Sequence, residues 1–244
     1  MLSRLRRALV GLTVIAASTV AFPVVSSTAT ALAPTSVRPQ TQVTPMTLPA
    51  WSNTNIVAVS TGFNGTCAIQ GASAAATSGT LFCWGKGPIL GAASFTSSNV
   101  AVAVPAAGSF TNTAVTAVAV GDEHACAIEG GQLWCWGGGS PGSFGVLGNG
   151  TSGFSLYGPT LVSANDGFDN DGAAGDAVTA ISTSYAQACA IEGGQVFCWG
   201  NNNGNQLGLG PTPPYPTNVP YRVVDTATPE FHAATATEVS VGFS

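Results

Sequence analysis

A twelve-residue stretch occurs twice in this chain, and it constrains the fold more than any other feature. The sequence reads CAIEGGQLWCWG at residues 126–137 and CAIEGGQVFCWG at residues 189–200. Two adjacent glycines at the centre of each copy supply the positive φ angles that a two-residue hairpin turn requires. We therefore predict that each stretch folds as a β-hairpin.

The register of this hairpin places its two cysteines opposite each other. Counting outward from Gly130 and Gly131, Cys126 faces Cys135 at the fourth pair, which is non-hydrogen-bonded and brings the Cα atoms to about 4.5 Å. That separation lies at the short end of the range for a disulfide. An earlier, divergent copy begins with Cys67-Ala68-Ile69 and ends with Phe82-Cys83-Trp84-Gly85, with a longer loop between the two strands. The sequence thus predicts three bridges within hairpins: Cys67–Cys83, Cys126–Cys135 and Cys189–Cys198.

Two other roles for the cysteines are unpaired core thiols and a metal site. Zinc sites pair cysteines at Cys-x2-4-Cys spacing, whereas 8 or 15 residues intervene between the cysteines of each copy here. The spacing therefore favours disulfides over zinc.

The N-terminus has the pattern of a signal peptide. Three arginines within residues 4–7 precede an apolar run from Ala8 to Val25, and Ala29-Thr30-Ala31 forms an A-x-A cleavage pattern. We expect cleavage after Ala31 and export to an oxidising compartment, where disulfides persist. The alternative is a retained membrane anchor, although the run is short and Pro23 interrupts it. Residues 32–50 read as a Pro/Thr-rich linker.

Charge excludes one class of partner. Residues 1–31 hold three of the six basic residues and none of the 11 acidic ones, so their removal moves the net charge from −5 to −8. Nucleic-acid binding needs the opposite sign. The expected partners are a protein or a cell-surface ligand, with neither nucleic acid nor, after cleavage, a membrane.

The repeat is longer than the hairpin. Related strands precede each first cysteine, and the equivalent positions Gly62, Gly121, Ser184 and Gly242 lie 59, 63 and 58 residues apart. Each unit offers about four short strands, which is the composition of a propeller blade. Aromatic residues two apart share one face of the hairpin and the cysteines the other, so both faces are apolar. We predict an all-β fold over residues 51–244, with copies at about 51–114, 115–177 and 178–236 and a truncated fourth at 237–244.

The third copy, CAIEGGQVFCWGNNNGNQLGLG, closely resembles the regulator-of-chromosome-condensation repeat, whose signature runs Trp-Gly-x-Asn-x-x-Gly-Gln-Leu-Gly-x-Gly. Asn205 stands where the signature has glycine, and asparagine also accepts a positive φ. The other copies match through Trp84, Gly85, Trp136 and Gly137. The resemblance implies a seven-bladed propeller in complete members, and the cysteine-stapled hairpin looks like the secreted bacterial type. In the third copy the matching residues are Trp199, Gly200, Asn202, Gln206, Leu207, Gly208 and Gly210.

No set of residues converges on a catalytic or cofactor-binding pattern. Of the two histidines, His124 occupies a position held by Gly65 and Gln187 in the other copies, which favours a structural role. The acidic stretch at 165–176 offers Asp169 and Asp171 as candidate ligands for weak calcium binding. Gly167 and Val178 would then fall where a calcium loop needs carboxylates, so the main expectation is a solvated insertion whose substitution hardly affects stability.

The function predicted from these features is a secreted, non-enzymatic module that binds a protein or a surface ligand through propeller loops. Relatives by repeat include nuclear exchange factors for a small GTPase and a secreted inhibitor of β-lactamases. Inhibition of an extracellular enzyme such as a β-lactamase is therefore an alternative. A metal-dependent hydrolase that uses the acidic stretch is another, and a structural or adhesive part of a surface protein is a third.

Three blades are fewer than the 4–8 of closed propellers. We expect this chain to be a partial propeller truncated from a longer reading frame, that is, a fragment of a seven-bladed propeller. The alternatives are an open three-bladed arc and an assembly in which two or more chains complete a ring. End blades without neighbours expose apolar faces. The chain is therefore expected to self-associate.

Overall fold

Short alternating segments bounded by glycines form twelve β-strands in the part of the chain that a computed structural model describes. The described residues are 50–138, 144–152, 157–211, 213, 217–224 and 235–242. They lie in one compact unit, Thr47–Ser244, and they include one 3-10 helix, Gly87–Leu90. Within these ranges no helix has the length and apolar character needed to cross a membrane. The strands are β1 (Ile56–Thr61), β2 (Gly65–Gln70), β3 (Thr80–Gly85), β4 (Ser98–Ala103), β5 (Val115–Val120), β6 (His124–Glu129), β7 (Gln132–Gly137), β8 (Tyr157–Leu161), β9 (Val178–Thr183), β10 (Gln187–Glu192), β11 (Gln195–Gly200) and β12 (Tyr221–Arg222).

These strands form three antiparallel four-stranded sheets, each in sequence order: β1–β4, β5–β8 and β9–β12. We call them the first, second and third blades. The all-β prediction with about three four-stranded blades is confirmed.

The hairpins have the register that the glycine pair predicts. In the second blade Glu129 faces Gln132 next to the turn, and Cys126 faces Cys135 at the fourth pair. The three disulfides are Cys67–Cys83, Cys126–Cys135 and Cys189–Cys198, with Cα–Cα distances of 4.0, 4.1 and 4.1 Å. No free cysteine is present among the described residues. The predicted disulfide pairing therefore agrees with the structure.

Each blade uses its two faces differently. The cysteine face, which we call the trailing face, packs on the next blade, and the opposite tryptophan face, the leading face, packs on the preceding one. In the first core cluster Cys67 and Leu81 of the first blade meet Trp134 and Trp136 of the second. In the next cluster Cys126 and Leu133 of the second blade meet Phe197 and Trp199 of the third. Both faces of the hairpin are apolar because both are buried between blades.

The tryptophan of each Trp-Gly pair also ties neighbouring blades together by a hydrogen bond. The indole Nε1–H of Trp136 donates to the carbonyl oxygen of Ile89 at 2.8 Å. Trp199 donates in the same way to Val146 at 2.7 Å. Both tryptophans are fully buried, so these signature residues carry both packing and a directional contact across the blade interface.

A second contact across the interface comes from an aromatic-x-Asn segment before the first strand of a blade. Asn112 lies on the second blade and reaches back to the first. Its Oδ1 accepts the N–H of Leu81 at 2.7 Å, and its Nδ2 donates to the carbonyls of Leu81 and Val104 at 3.0 and 2.7 Å. We call this arrangement the asparagine clamp. Asn170 of the third blade makes the same three bonds to Leu133 and Val162.

The clamp segment is held in place by the aromatic residue and by a glutamate. Phe110 packs on Trp134 and Trp136, with ring centroids 5.9 and 6.1 Å apart. Glu129 accepts the backbone N–H groups of Thr111, Thr113 and Ala114. Burial acts to raise the pKa of Glu129, but these hydrogen bonds outweigh it and hold the pKa below its ordinary value. These contacts therefore fix the clamp segment in position at the interface between the first and second blades.

Candidate functional site: the loop face

The link between the first and second strands is the same tight turn in each blade. In each turn the N–H of its first residue donates to the carbonyl of the residue three positions on. These bonds are Gly62 to Gly65 at 2.8 Å, Gly121 to His124 at 2.9 Å and Ser184 to Gln187 at 3.0 Å. The three turns lie side by side, and we call their surface, residues 61–65, 120–124 and 183–187, the loop face.

Close packing of neighbouring turns fixes the geometry of the loop face. A Cβ atom added at Gly62 would lie 1.9 Å from the carbonyl oxygen of Gly121, far inside van der Waals contact. A Cβ at Gly121 would lie 2.4 Å from the carbonyl oxygen of Ser184. The absence of a side chain at Gly62 and Gly121 therefore lets successive turns stack.

The Trp-Gly pairs support the turns from beneath. Gly85 has φ = 111°, and a Cβ there would lie 2.5 Å from the carbonyl oxygen of Asn64. The following residue, Lys86, donates its N–H to that same carbonyl at 2.9 Å. Gly137 and Gly200 occupy the equivalent positions with φ of 96° and 103°. The repeat signature thus positions the loop face as well as the core.

The residue after the stacked position points outward in each turn, and its identity differs from blade to blade. It is Phe63 in the first blade, Asp122 in the second and Tyr185 in the third. Phe63 is 85% exposed and Tyr185 47% exposed. All three line a cavity of about 330 Å³ that the turns share with Val241. The same backbone turn therefore presents two aromatic rings and one carboxylate around one depression.

Polar contacts between the first two turns hold the acidic part of this surface. Asn64 Nδ2 donates to Asp122 Oδ1 at 2.5 Å, and Lys86 Nζ forms an ion pair with Glu123. Burial raises the pKa of Asp122 above its ordinary value, and the neighbouring Glu123 adds to the shift. The loop face thus carries fixed acidic groups beside the aromatic rings.

His124 lies beneath this surface and is 2% exposed. Burial lowers its pKa to about 4, so the imidazole is neutral near pH 7. Three buried side-chain polar atoms within the described ranges have no hydrogen-bond partner: His124 Nε2 and the hydroxyl oxygens of Thr183 and Ser184. Since neither Ser184 Oγ nor His124 Nε2 has a partner, these two groups form no nucleophile–base pair. His232 lies outside the described residues.

The candidate calcium ligands Asp169 and Asp171 lie in a stretch that makes hydrogen bonds within the fold. Asp171 Oδ1 accepts the N–H of Ala173 at 2.7 Å, while the backbone N–H of Asp169 donates to Glu192 at 2.9 Å. Val178, at the twelfth position of the candidate loop, is buried in β9. Among the residues that the structure describes, no group of three or more His, Cys, Asp or Glu side chains could hold a metal ion.

The expectation that residues 165–176 form a merely solvated insertion is wrong. Phe168 and Asn170 are each 1% exposed, because they are the aromatic-x-Asn pair of the third blade. Phe168 packs on Phe197 at 5.2 Å, and Asn170 forms the clamp. Substitution of either residue is now expected to destabilise the fold.

The signature residues of the third copy close the loop that follows Trp199. Asn202 Oδ1 accepts the N–H of Leu207 at 3.1 Å, and Gln206 Oε1 accepts that of Gly204 at 2.7 Å. Leu207 is buried against the third disulfide, and Asn205 has φ = 60°. The positive φ expected for Asn205 is therefore confirmed. These residues shape the blade and do not line the cavity.

The loop-face residues Phe63, Asp122 and Tyr185 were not singled out from the sequence. The available signal was their position directly after the aligned residues Gly62, Gly121 and Ser184. The asparagine clamp was also missed, although an aromatic-x-Asn segment recurs at 51–53, 110–112 and 168–170.

Comparison with known proteins agrees with this architecture. The Regulator of chromosome condensation (RCC1) repeat matches residues 193–242, which confirms the resemblance found in the third copy. No curated protein sequence shows a significant match to this chain.

Solved structures with a similar fold include yeast RCC1. Human WBSCR16 has a TM-score of 0.52 at 19% identity, over 68% of this chain and 37% of its own. Yeast RCC1 (Prp20) bound to Kap60 has a TM-score of 0.51 at 16% identity, over 71% of this chain and 38% of its own. Prp20p from Saccharomyces cerevisiae has a TM-score of 0.52 at 16% identity, over 71% of this chain and 39% of its own. The chain thus spans well under half the length of these structures. Its three sheets are blades of the RCC1 propeller fold, and its three disulfides indicate an oxidising environment.

Proposed function

We propose that this protein is a secreted, non-enzymatic binding module that recognises a protein partner through the loop face. Residues 1–31 are the signal peptide of this proposal, residues 32–50 a linker and residues 51–244 the propeller repeats. The observation that carries the proposal is the pair of exposed rings, Phe63 and Tyr185, at one shared cavity. Aromatic side chains are enriched where proteins bind each other, because they bury large areas at small conformational cost.

Other features support binding over catalysis. Asn64 and Asp122 of the loop face pair with each other, and Ser184 and His124 form no nucleophile–base pair. RCC1-type propellers typically bind other proteins. Prp20p has been studied for its binding to Gsp1p and histones, and yeast RCC1 has been crystallised with Kap60. The proposed partners include an extracellular enzyme, such as a β-lactamase, that is inhibited when it binds the loop face.

Partner capture from the extracellular fraction with a matched set of variants tests the proposal. The Phe63→Ala and Tyr185→Ala double variant removes both rings, while Phe95→Ala removes an aromatic ring of comparable exposure, 65%, outside the loop face. We expect the same captured protein with wild type and with Phe95→Ala, and at least a tenfold loss with the double variant. Undiminished capture by the double variant would refute the proposal, as would turnover of a hydrolase substrate that depends on Asp169 or Asp171.

A further inference from the structure

The leading face of the first blade has the chemistry of a blade interface but stands open among the described residues. The first blade has Asn53, Ile56 and Trp84 at the positions where the second blade has Asn112, Val115 and Trp136. Ile56 is 39% exposed, whereas Val115 is fully buried. Asn53 is exposed, yet its φ of 52° is close to the 58° of Asn112. The asparagine is thus held in the clamp conformation without a blade to clamp.

Trp51 keeps this face ordered. Its ring packs 5.2 Å from Phe82 and 5.8 Å from Trp84, as Phe110 packs on the tryptophans of the second blade. Gln70 accepts the N–H of Ser52 at 2.8 Å, in the place where Glu129 accepts that of Thr111. The clamp segment of the first blade is therefore already ordered in the single chain.

The trailing face of the third blade offers the complementary groups. Val223 donates its N–H to the carbonyl of Val196 at 2.9 Å, as Val104 does to Leu81. Val196 is partly exposed, whereas Leu81 is fully buried. In the sequence the next aromatic-x-Asn position reads Phe231-His232-Ala233, and alanine has no side-chain amide. Among the described residues, the first blade therefore has a clamping asparagine without a receiving strand, and the third blade has a receiving strand without a clamping asparagine.

We propose that two copies of this chain associate head to tail, with Asn53 of one copy clamping Val196 and Val223 of the other. Oδ1 of Asn53 would accept the Val196 N–H, and Nδ2 would donate to the two carbonyls, as in the two clamps inside the chain. The occupant is a second copy because the two faces repeat an interface that the chain already forms twice. Since the two surfaces differ, the contact is heterologous and further copies can add.

This association requires one strand to replace another. Residues 235–242 lie along the third blade as β5 lies along the first: Val241 N–H donates to Ser182 Oγ at 3.0 Å, and Val120 N–H to Ser60 Oγ at 3.0 Å. Asn53 lies three positions before the first residue of β1, so it reaches Val196 only when the incoming β1 takes the place of residues 235–242. We infer that this segment is exchanged for β1 of the second copy.

Sedimentation velocity of the full, oxidised chain at increasing concentration tests the inference. Wild type is expected to associate reversibly, and Asn53→Ala to raise the dissociation constant roughly tenfold or more through the lost hydrogen bonds. The matched control is Asn55→Ala, which changes an exposed positive-φ asparagine to the residue found at the equivalent Ala114. This control should leave the constant unchanged.

Loosening the exchanged segment tests the strand replacement. Deletion of residues 236–244 should lower the dissociation constant, and Val239→Ala, which removes only part of the packing of this segment, should act in the same direction. Added salt should also strengthen association, because it screens the repulsion between two acidic chains. A strictly monomeric wild type, equal association by Asn53→Ala, or weaker association after loosening residues 236–244 would each overturn the inference.

Discussion

Replacement of Asn112 by alanine should destabilise the protein strongly, because this loop side chain ties the second blade to the first. Asn112 is 6% exposed and supplies one acceptor and two donors to the first blade. Without it the N–H of Leu81 has no partner and, because Leu81 is fully buried, no access to water.

The magnitude follows from three contributions. A buried N–H left unpaired costs about 1–3 kcal/mol, and the lost bond to Val104 adds about 1 kcal/mol. Alanine at φ = 58° adds about 1 kcal/mol relative to asparagine. The expected loss is about 3–5 kcal/mol of unfolding free energy.

Urea denaturation with the disulfides intact measures this loss. Asn53→Ala is the matched control, because Asn53 has the same backbone conformation, φ = 52°, but is exposed, and it should cost only about 1 kcal/mol. Asn112→Gly separates the clamp from the backbone strain, since glycine accepts positive φ freely, and should still lose about 2–4 kcal/mol. If Asn112→Ala cost no more than Asn53→Ala, the clamp would contribute nothing and the reasoning would be refuted.

Three further predictions concern the buried histidine, the stacked turns and the indole contacts. The unfolded His124 binds a proton near pH 6.5 and the folded one near 4, so stability should fall by about 3 kcal/mol as pH drops between these values. His124→Gln should flatten that part of the curve, and an unchanged curve would contradict the assignment. Gly62→Ala should lower the melting temperature sharply, whereas alanine at the equivalent Gly242, which has no neighbour within 4 Å, should not; equal effects would count against stacked turns. Trp136→Ala should cost about 3–5 kcal/mol in chemical denaturation, and an unaltered midpoint would exclude the packed interface.

Local features of this fold could be predicted from the sequence because they depend on short separations. The cysteines of the second hairpin are 9 residues apart and flank a glycine pair whose turn type sets the register. The alternation of Trp134, Cys135 and Trp136 indicates two apolar faces, which only stacked blades can bury. The signature at Trp199 to Gly208 then identified the blade type.

Contacts between blades could not be predicted in the same way. Asn112 binds Leu81, which is 31 residues away, and no local pattern states that an asparagine after an aromatic residue will reach across an interface. Phe168 lies among four aspartates within residues 165–176, so the composition indicates a solvated loop while the side chain is buried. The loop face was missed for a related reason, since Phe63 and Tyr185 become neighbours only when the turns stack.

Hydrogen exchange of the indole N–H groups, followed by NMR on dilute oxidised protein, tests the stacking of blades most directly. The account predicts slow exchange for Trp136 and Trp199, because each is fully buried and donates to a carbonyl of the preceding blade. It predicts faster exchange for Trp51, which covers the open leading face of the first blade. Equally fast exchange of all three indoles would contradict the central claim that the cysteine face of each blade is buried by the tryptophan face of the next.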